Sequence, residues 1–169
     1  MENVRLLIKN GADVKAQDET HSTPLHMASS SWFPELVGLL IEHGADVTAR
    51  DRKHRTPLHL ASSMVSSRMA LLFVECRTGL HGQNSKYDGY NETVFDAMTN
   101  TVRLLIHHGA DVTAQDQSQS TPLHLVSESS LGSGEVVQLL IDHGADVTAI
   151  DGNRRTPLDL ALSRVSAEA

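Results

Sequence analysis

Aromatic side chains are scarce in this 169-residue chain: three Phe, two Tyr and one Trp. A core must therefore come from Leu, Ile, Val and Ala, which suit helices packed at short distance. Cysteine is nearly absent; Cys76 stands alone, which excludes an internal disulfide and points to a reducing compartment. Positive charge is in deficit, with 14 Lys and Arg against 21 Asp and Glu and a formal net charge of −7. A general nucleic-acid binder needs a cationic surplus to neutralise phosphates, so no nucleic acid is expected as partner. Long apolar runs are missing as well. None approaches the ~20 residues of a membrane helix, and Leu6-Leu7-Ile8 is too short for a secretory signal core. These absences predict an intracellular protein, cytoplasmic or nuclear, without membrane insertion.

What the chain has in abundance is repetition. Thr-Pro-Leu-His begins at Thr23, Thr56 and Thr121, with Thr-Pro-Leu-Asp at Thr156; the spacings are 33, 65 and 35 residues. Gly-Ala-Asp begins at Gly11, Gly44, Gly109 and Gly144, again 33, 65 and 35 residues apart. Two independent motifs share one period, the signature of a repeat array. Thr caps a helix start, and Pro fits the first helical position because its missing N–H has no partner there. The runs Val4/Leu6/Leu7/Ile8, Val37/Leu39/Leu40/Ile41, Val102/Leu104/Leu105/Ile106 and Val137/Leu139/Leu140/Ile141 carry helical spacing. A Gly follows each, placed to end the helix in left-handed geometry. Each period reads as helix, turn, helix and a Gly-terminated loop.

The chain resembles the ankyrin repeat family in its Asp-x-x-x-x-Thr-Pro-Leu-His and Val-x-Leu-Leu-x-x-x-Gly-Ala-Asp-Val motifs, which recur in order over nearly the whole length. The resemblance implies an all-α solenoid of stacked antiparallel helix pairs with β-hairpin-like finger loops. It also gives His26, His59 and His124 a structural role, tying helix starts together by hydrogen bonds. The array divides into a half unit 1–16, units 17–49 and 50–82, a degenerate unit 83–114, a unit 115–149 and a half unit 150–169. The degenerate unit accounts for the 65-residue gap. Within the gap Met69–Glu75 fall on Leu36–Glu42 as the second helix of unit 50–82, Thr93-Val94-Phe95-Asp96-Ala97 reads as a worn Thr-Pro-Leu-His-x-Ala, and a long finger spans Thr78–Glu92. The alternative is a long insertion in one repeat. Neither end carries the polar capping repeat that a solenoid needs, so the array is expected to be part of a longer chain.

The chemistry-bearing residues have structural explanations. Asn10, His43, Cys76, His108 and His143 form a ladder before the terminal Gly. Neighbouring helices lie ~8–10 Å apart, whereas zinc needs its nitrogens at ~2.0–2.1 Å. A His at a helix C-terminus is favourable without metal. Cys76 beside Arg77 lacks a catalytic partner, and no Gly-x-Ser-x-Gly elbow or phosphate-binding glycine loop occurs. No metal, cofactor or catalytic residue is assigned, and no enzyme activity is expected. Two family features are absent. Lys15, Thr48, Thr113 and Thr148 replace the finger Asn that is a hydroxylation target. His21, His54, Gln119 and Arg154 replace the turn glycine, which predicts strain at those positions. Asn91 is the residue best suited to left-handed geometry in the degenerate unit.

Repeated positions build the stack; variable ones are free to meet a partner. The resemblance places contacts on finger tips and the adjoining face of the first helices. These positions are Glu19, Thr20 and Ser22; Arg52, Lys53 and Arg55; Gln117, Ser118 and Ser120; and Asn153 and Arg155. Ser30, Ser63, Glu128 and Ser163 follow on the helices, with Trp32 and Phe33 as an aromatic pair in a turn and Tyr87 and Tyr90 in the long finger. The basic finger Arg50–Arg55 fits an acidic partner, and the alternating finger charges argue for a patterned protein surface. The expected function is a non-catalytic protein–protein interaction module; the alternative is a substrate-recruiting array of a larger enzyme or signalling protein.

Overall fold

The computed structural model describes residues 1–31, 33–66, 90–128 and 134–165. They form eight helices: α1 Glu2–Lys9, α2 Pro24–Ser29, α3 Pro34–Glu42, α4 Pro57–Ser66, α5 Tyr90–His107, α6 Pro122–Ser127, α7 Gly134–Asp142 and α8 Pro157–Val165. No strand occurs among these residues; the fingers are hydrogen-bonded turns.

Local chemistry starts and stops each helix as the repeats predict. Thr23 caps α2 in extended geometry, Pro24 takes the first position, and the Thr23 N–H donates to His26 Nδ1 at 3.2 Å. His here fills the place that Glu or Gln takes in a capping box. The same arrangement starts α4 and α6. At the other end, Gly11, Gly44, Gly109 and Gly144 lie at φ of 86 to 92°. Each permits two closing bonds, such as Gly44 N–H to Ile41 C=O at 2.9 Å and Ala45 N–H to Leu40 C=O at 3.0 Å.

Two layers result. First helices α2, α4, α6 and α8 pack in that order, and second helices α3, α5 and α7 pack in theirs. Between the layers, Leu25, Leu58, Leu123, Val37, Val102, Leu105 and Leu140 are buried and fill one continuous core. The small Ala28 and Ala61 let the first helices approach closely.

The fingers stack in direct succession among the described residues. Finger 51–55 lies directly on finger 116–120: Gln117 N–H donates to Lys53 C=O at 2.8 Å, just as Arg52 N–H donates to Thr20 C=O at 2.9 Å one finger earlier. α4 packs on α6, and α5 packs on α4 as its second helix. Finger 51–55 and finger 116–120 are thus neighbours in the stack, and residues 67–89, between α4 and α5, lie outside the described residues. The direct bond between these fingers favours the insertion reading over the decayed repeat. Thr93–Ala97 begin no helix, because they lie inside the 18-residue α5, as does Asn91, which is helical and not left-handed. The expected second helix Met69–Glu75 and most of the Thr78–Glu92 finger lie outside the described residues. Aligned on Val37 and Val102, Thr99 matches Pro34, so α5 begins nine residues earlier than α3. That overhang is about 13 Å at ~1.5 Å per residue.

A direct expectation follows. Replacing 67–89 by a short Gly-Ser linker leaves the four fingers and both helix layers intact, and the melting temperature moves by no more than about 5 °C, because loop length changes closure entropy slowly. Loss of the cooperative thermal transition measured by circular dichroism would restore the decayed-repeat reading.

Candidate functional site

The fingers owe their shape to one aspartate each. Asp18, Asp51, Asp116 and Asp151 close the turn, as where Asp51 N–H donates to Arg55 C=O at 3.0 Å and His54 N–H to Asp51 C=O at 2.9 Å. Their carboxylates accept backbone N–H groups two and four residues on, at 2.7 to 3.0 Å. This closure forces the fourth residue into left-handed geometry: His21, His54, Gln119 and Arg154 have φ of 58 to 61°.

Successive fingers are linked twice. One link is the backbone ladder, completed by Gly152 N–H donating to Ser118 C=O at 2.8 Å. The other runs through the buried histidines. Nε2 of His26, His59 and His124 meets the carbonyls of Arg55, Ser120 and Arg155 at 3.0 to 3.1 Å, while Nδ1 accepts from the threonine cap. With Nδ1 as acceptor and Nε2–H as donor, each ring is neutral. Burial pushes His59 below its usual range, against the pull of Ser120 C=O and Asp116. The fourth unit has Asp159, which keeps the cap, accepting Thr156 N–H at 2.8 Å, but has no proton to pass onward. The bonds from Thr156 hold its carboxyl below the ordinary range.

The finger contact candidates divide. Arg52 and Lys53 are exposed and form no ion pair among the described residues; Glu19, Thr20, Gln117, Ser118 and Asn153 are exposed beside them. Arg55 and Arg155 turn inward to the buried Asp51 and Asp151 at 2.7 and 2.8 Å. Burial pushes these two aspartates up, and the hydrogen bonds and charge of the arginines outweigh it, so both lie below the ordinary carboxylate range. Ser22 and Ser120 hold the equivalent place in the other fingers and are half-buried. Asp18 is also lowered, chiefly by the Thr20 hydroxyl, with a smaller contribution from Arg52. Sequence reasoning missed Arg154 as a contact candidate, although it is exposed at a tip. Its place at the turn glycine position was the available signal. Arg50, also exposed, donates to Gln115 C=O at 3.3 Å and braces the two fingers.

On the first helices, Ser30, Ser63 and Ser163 donate to the carbonyl three residues back at 2.8 to 2.9 Å, leaving a floor of small side chains. Glu128, half-buried, caps α6. Phe33 is 59% exposed at the start of α3. Trp32 and Tyr87 lie outside the described residues, and Tyr90 opens α5.

The His ladder has a capping role. Nδ1 of His43 and His143 meets the carbonyl four residues back at 2.8 Å, and Asn10 does the same through its amide at 2.7 Å. His108 follows the end of α5, its N–H donating to Leu104 C=O at 3.1 Å, and Cys76 lies outside the described residues. Among the described residues, no three His, Cys, Asp or Glu side chains are grouped to hold a metal. The threonines in place of the finger Asn also have a job: Thr48, Thr113 and Thr148 donate through Oγ1 to the preceding Asp at 2.7 Å. On the outer layer an open groove of about 470 Å³ lies over α3, where Gly38 stands between Arg5 of α1 and Arg103 of α5. Arg103 pairs with Glu135 at 3.0 Å, both exposed. None of the described helices is long and apolar enough to cross a membrane.

Comparison with known proteins agrees with this architecture. A family model described as ankyrin repeats (3 copies) matches residues 1–84 and 93–168. Protein phosphatase 1 regulatory subunit 27 of Mus musculus is 50% identical over 36 residues, 21% of this chain and 23% of that protein. The match thus spans about a quarter of that relative's length. Repeated motifs, Gly-terminated second helices, hydrogen-bonded fingers and the family match agree: this chain belongs to the ankyrin repeat family.

Proposed function

We propose that this array is a non-catalytic docking module, inside the cell in the cytoplasm or nucleus. It holds a protein partner on its finger tips and the adjoining faces of its first helices. Ankyrin repeats are generally protein–protein interaction modules, and the likeness to a regulatory subunit supports a non-catalytic role. The observation that carries the reading is the Arg52–Lys53 tip, exposed and without an ion pair among the described residues, on a finger braced from both sides. Fixed charges of this kind select a partner without paying to order the loop. The same short likeness supports a second reading, in which the array recruits substrate for an enzyme in its assembly.

Replacing Arg52 and Lys53 together by Ala is expected to weaken partner capture about tenfold. That follows from two exposed charges at ~0.5–1 kcal/mol each. Helical circular dichroism and melting temperature stay unchanged. The measurement is a quantitative pull-down from lysate; undiminished capture of every partner would remove this finger from the binding surface.

A further inference from the structure

We propose that the finger row takes an extended acidic protein segment carrying two carboxylate clusters about six residues apart. The inference rests on the docking reading above and names the chemistry of the partner. Two exposed cationic tips carry it: Arg52 and Lys53 on finger 51–55, and Arg154 on finger 151–155. Between them, finger 116–120 presents Gln117, Ser118 and Gln119, none of them charged. Its Asp116 is half-buried and accepts the Ser118 and Ser120 N–H groups at the base of the turn. Asp51 and Asp151 do not cancel the tips, because each is buried and paired with its own finger's arginine.

The two cationic tips stand two junctions apart along a linear ladder of backbone bonds, Lys53 C=O to Gln117 N–H and Ser118 C=O to Gly152 N–H. Helices packed at ~8–10 Å per unit place the tips ~16–20 Å apart. An extended chain rising ~3.3 Å per residue covers that distance in about six residues. The first finger sets the limit of the acidic stretch, because Asp18 and Glu19 are exposed there and repel it. A nucleic acid, with a charge at every phosphate, meets both that repulsion and the chain's net charge of −7. A segment with charge in two places avoids the first.

The test uses fluorescence anisotropy with the whole chain and labelled 14-residue peptides of Ser, Thr and Pro. One carries Glu-Glu pairs starting six residues apart, one has them three apart, and one has Lys-Lys in their place; a 14-nucleotide single-stranded DNA serves as competitor. The six-residue spacing is expected to bind at least about fivefold tighter than the three-residue spacing. Binding weakens as salt rises from about 50 to 200 mM, as for any contact between exposed charges. R52Q/K53Q and R154Q each reduce it about fivefold, with melting temperature as the control for folding. Equal binding of both spacings, binding of the lysine peptide, displacement by the DNA, or no acidic binding overturns the proposal. If acidic peptides fail while R52A/K53A still loses lysate capture, this proposal falls alone; if capture also persists, the basic finger leaves the docking surface with it.

Discussion

His59→Ala is expected to lower the unfolding free energy by about 3–5 kcal/mol, the largest effect of any one polar side chain in the array. His59 is fully buried, its Nε2 meets Ser120 C=O at 3.1 Å, and its Nδ1 accepts the Thr56 N–H at 3.1 Å. Truncation leaves the buried Thr56 N–H unsatisfied, at ~1–3 kcal/mol, strips Ser120 C=O of one of its two donors, the other being Asp116 N–H, and opens a cavity besides. Domains of this size have ~5–15 kcal/mol in total. The location magnifies the loss. In an array stabilised by nearest-neighbour junctions, this residue joins unit 17–49 and α4 to everything beyond. Urea unfolding followed by circular dichroism is expected to shift to lower midpoint and to split into two steps; a wild-type curve would show that the histidine link is dispensable. The same residue gives the wild type an acid sensitivity. Its folded-state pKa is lowered, so as pH falls below ~6.5 the unfolded chain takes a proton that the folded chain refuses. Stability is full above that pH and declines below it until the folded value is passed. His59→Ala removes this contribution and flattens the slope.

The second large effect has the opposite sign. Replacing His21, His54, Gln119 and Arg154 together by Gly is expected to raise stability by about 2–4 kcal/mol. All four lie near φ +60°, where a β-carbon costs ~1–2 kcal/mol. Glycine's extra freedom in the unfolded chain returns ~0.5–1 kcal/mol of that gain per site. The turn itself is held by the finger aspartates, whose bonds the substitutions leave in place. At ~2–4 °C per kcal/mol for a chain of this length, the melting temperature rises by about 10 °C. An unchanged or lower value would mean that these side chains offset the strain through contacts of their own.

The parts of the fold that depend on neighbours in sequence were legible. Thr23, Pro24 and His26 act within one helical turn, and Gly44 acts on the turn just before it, so period and chemistry predicted caps, helices and stops. The parts that depend on which segments meet were not. Thr93–Ala97 imitate the start of a first helix, and the imitation hid that they lie inside α5, which ends at His107 just before the helix-stopping Gly109. What decides the matter is a contact across 64 positions, Lys53 to Gln117, that no local pattern encodes. The finger arginines divide for a related reason. Arg52 and Arg55 are alike as letters, yet position four after the aspartate returns to the base of the turn, where Arg55 finds Asp51, and position one stays at the tip.

The paired links between fingers also fix how the protein answers to force. Each junction crosses from unit to unit through one backbone bond and one histidine bond, at 2.8 to 3.1 Å, backed by side-chain packing. Tension along the stack loads the junctions in series, and the junction between fingers 51–55 and 116–120 has the Arg50 bond to Gln115 C=O as well. Such a chain is expected to open one junction at a time when pulled from its ends, with Asp159 as the rung that makes no histidine bond.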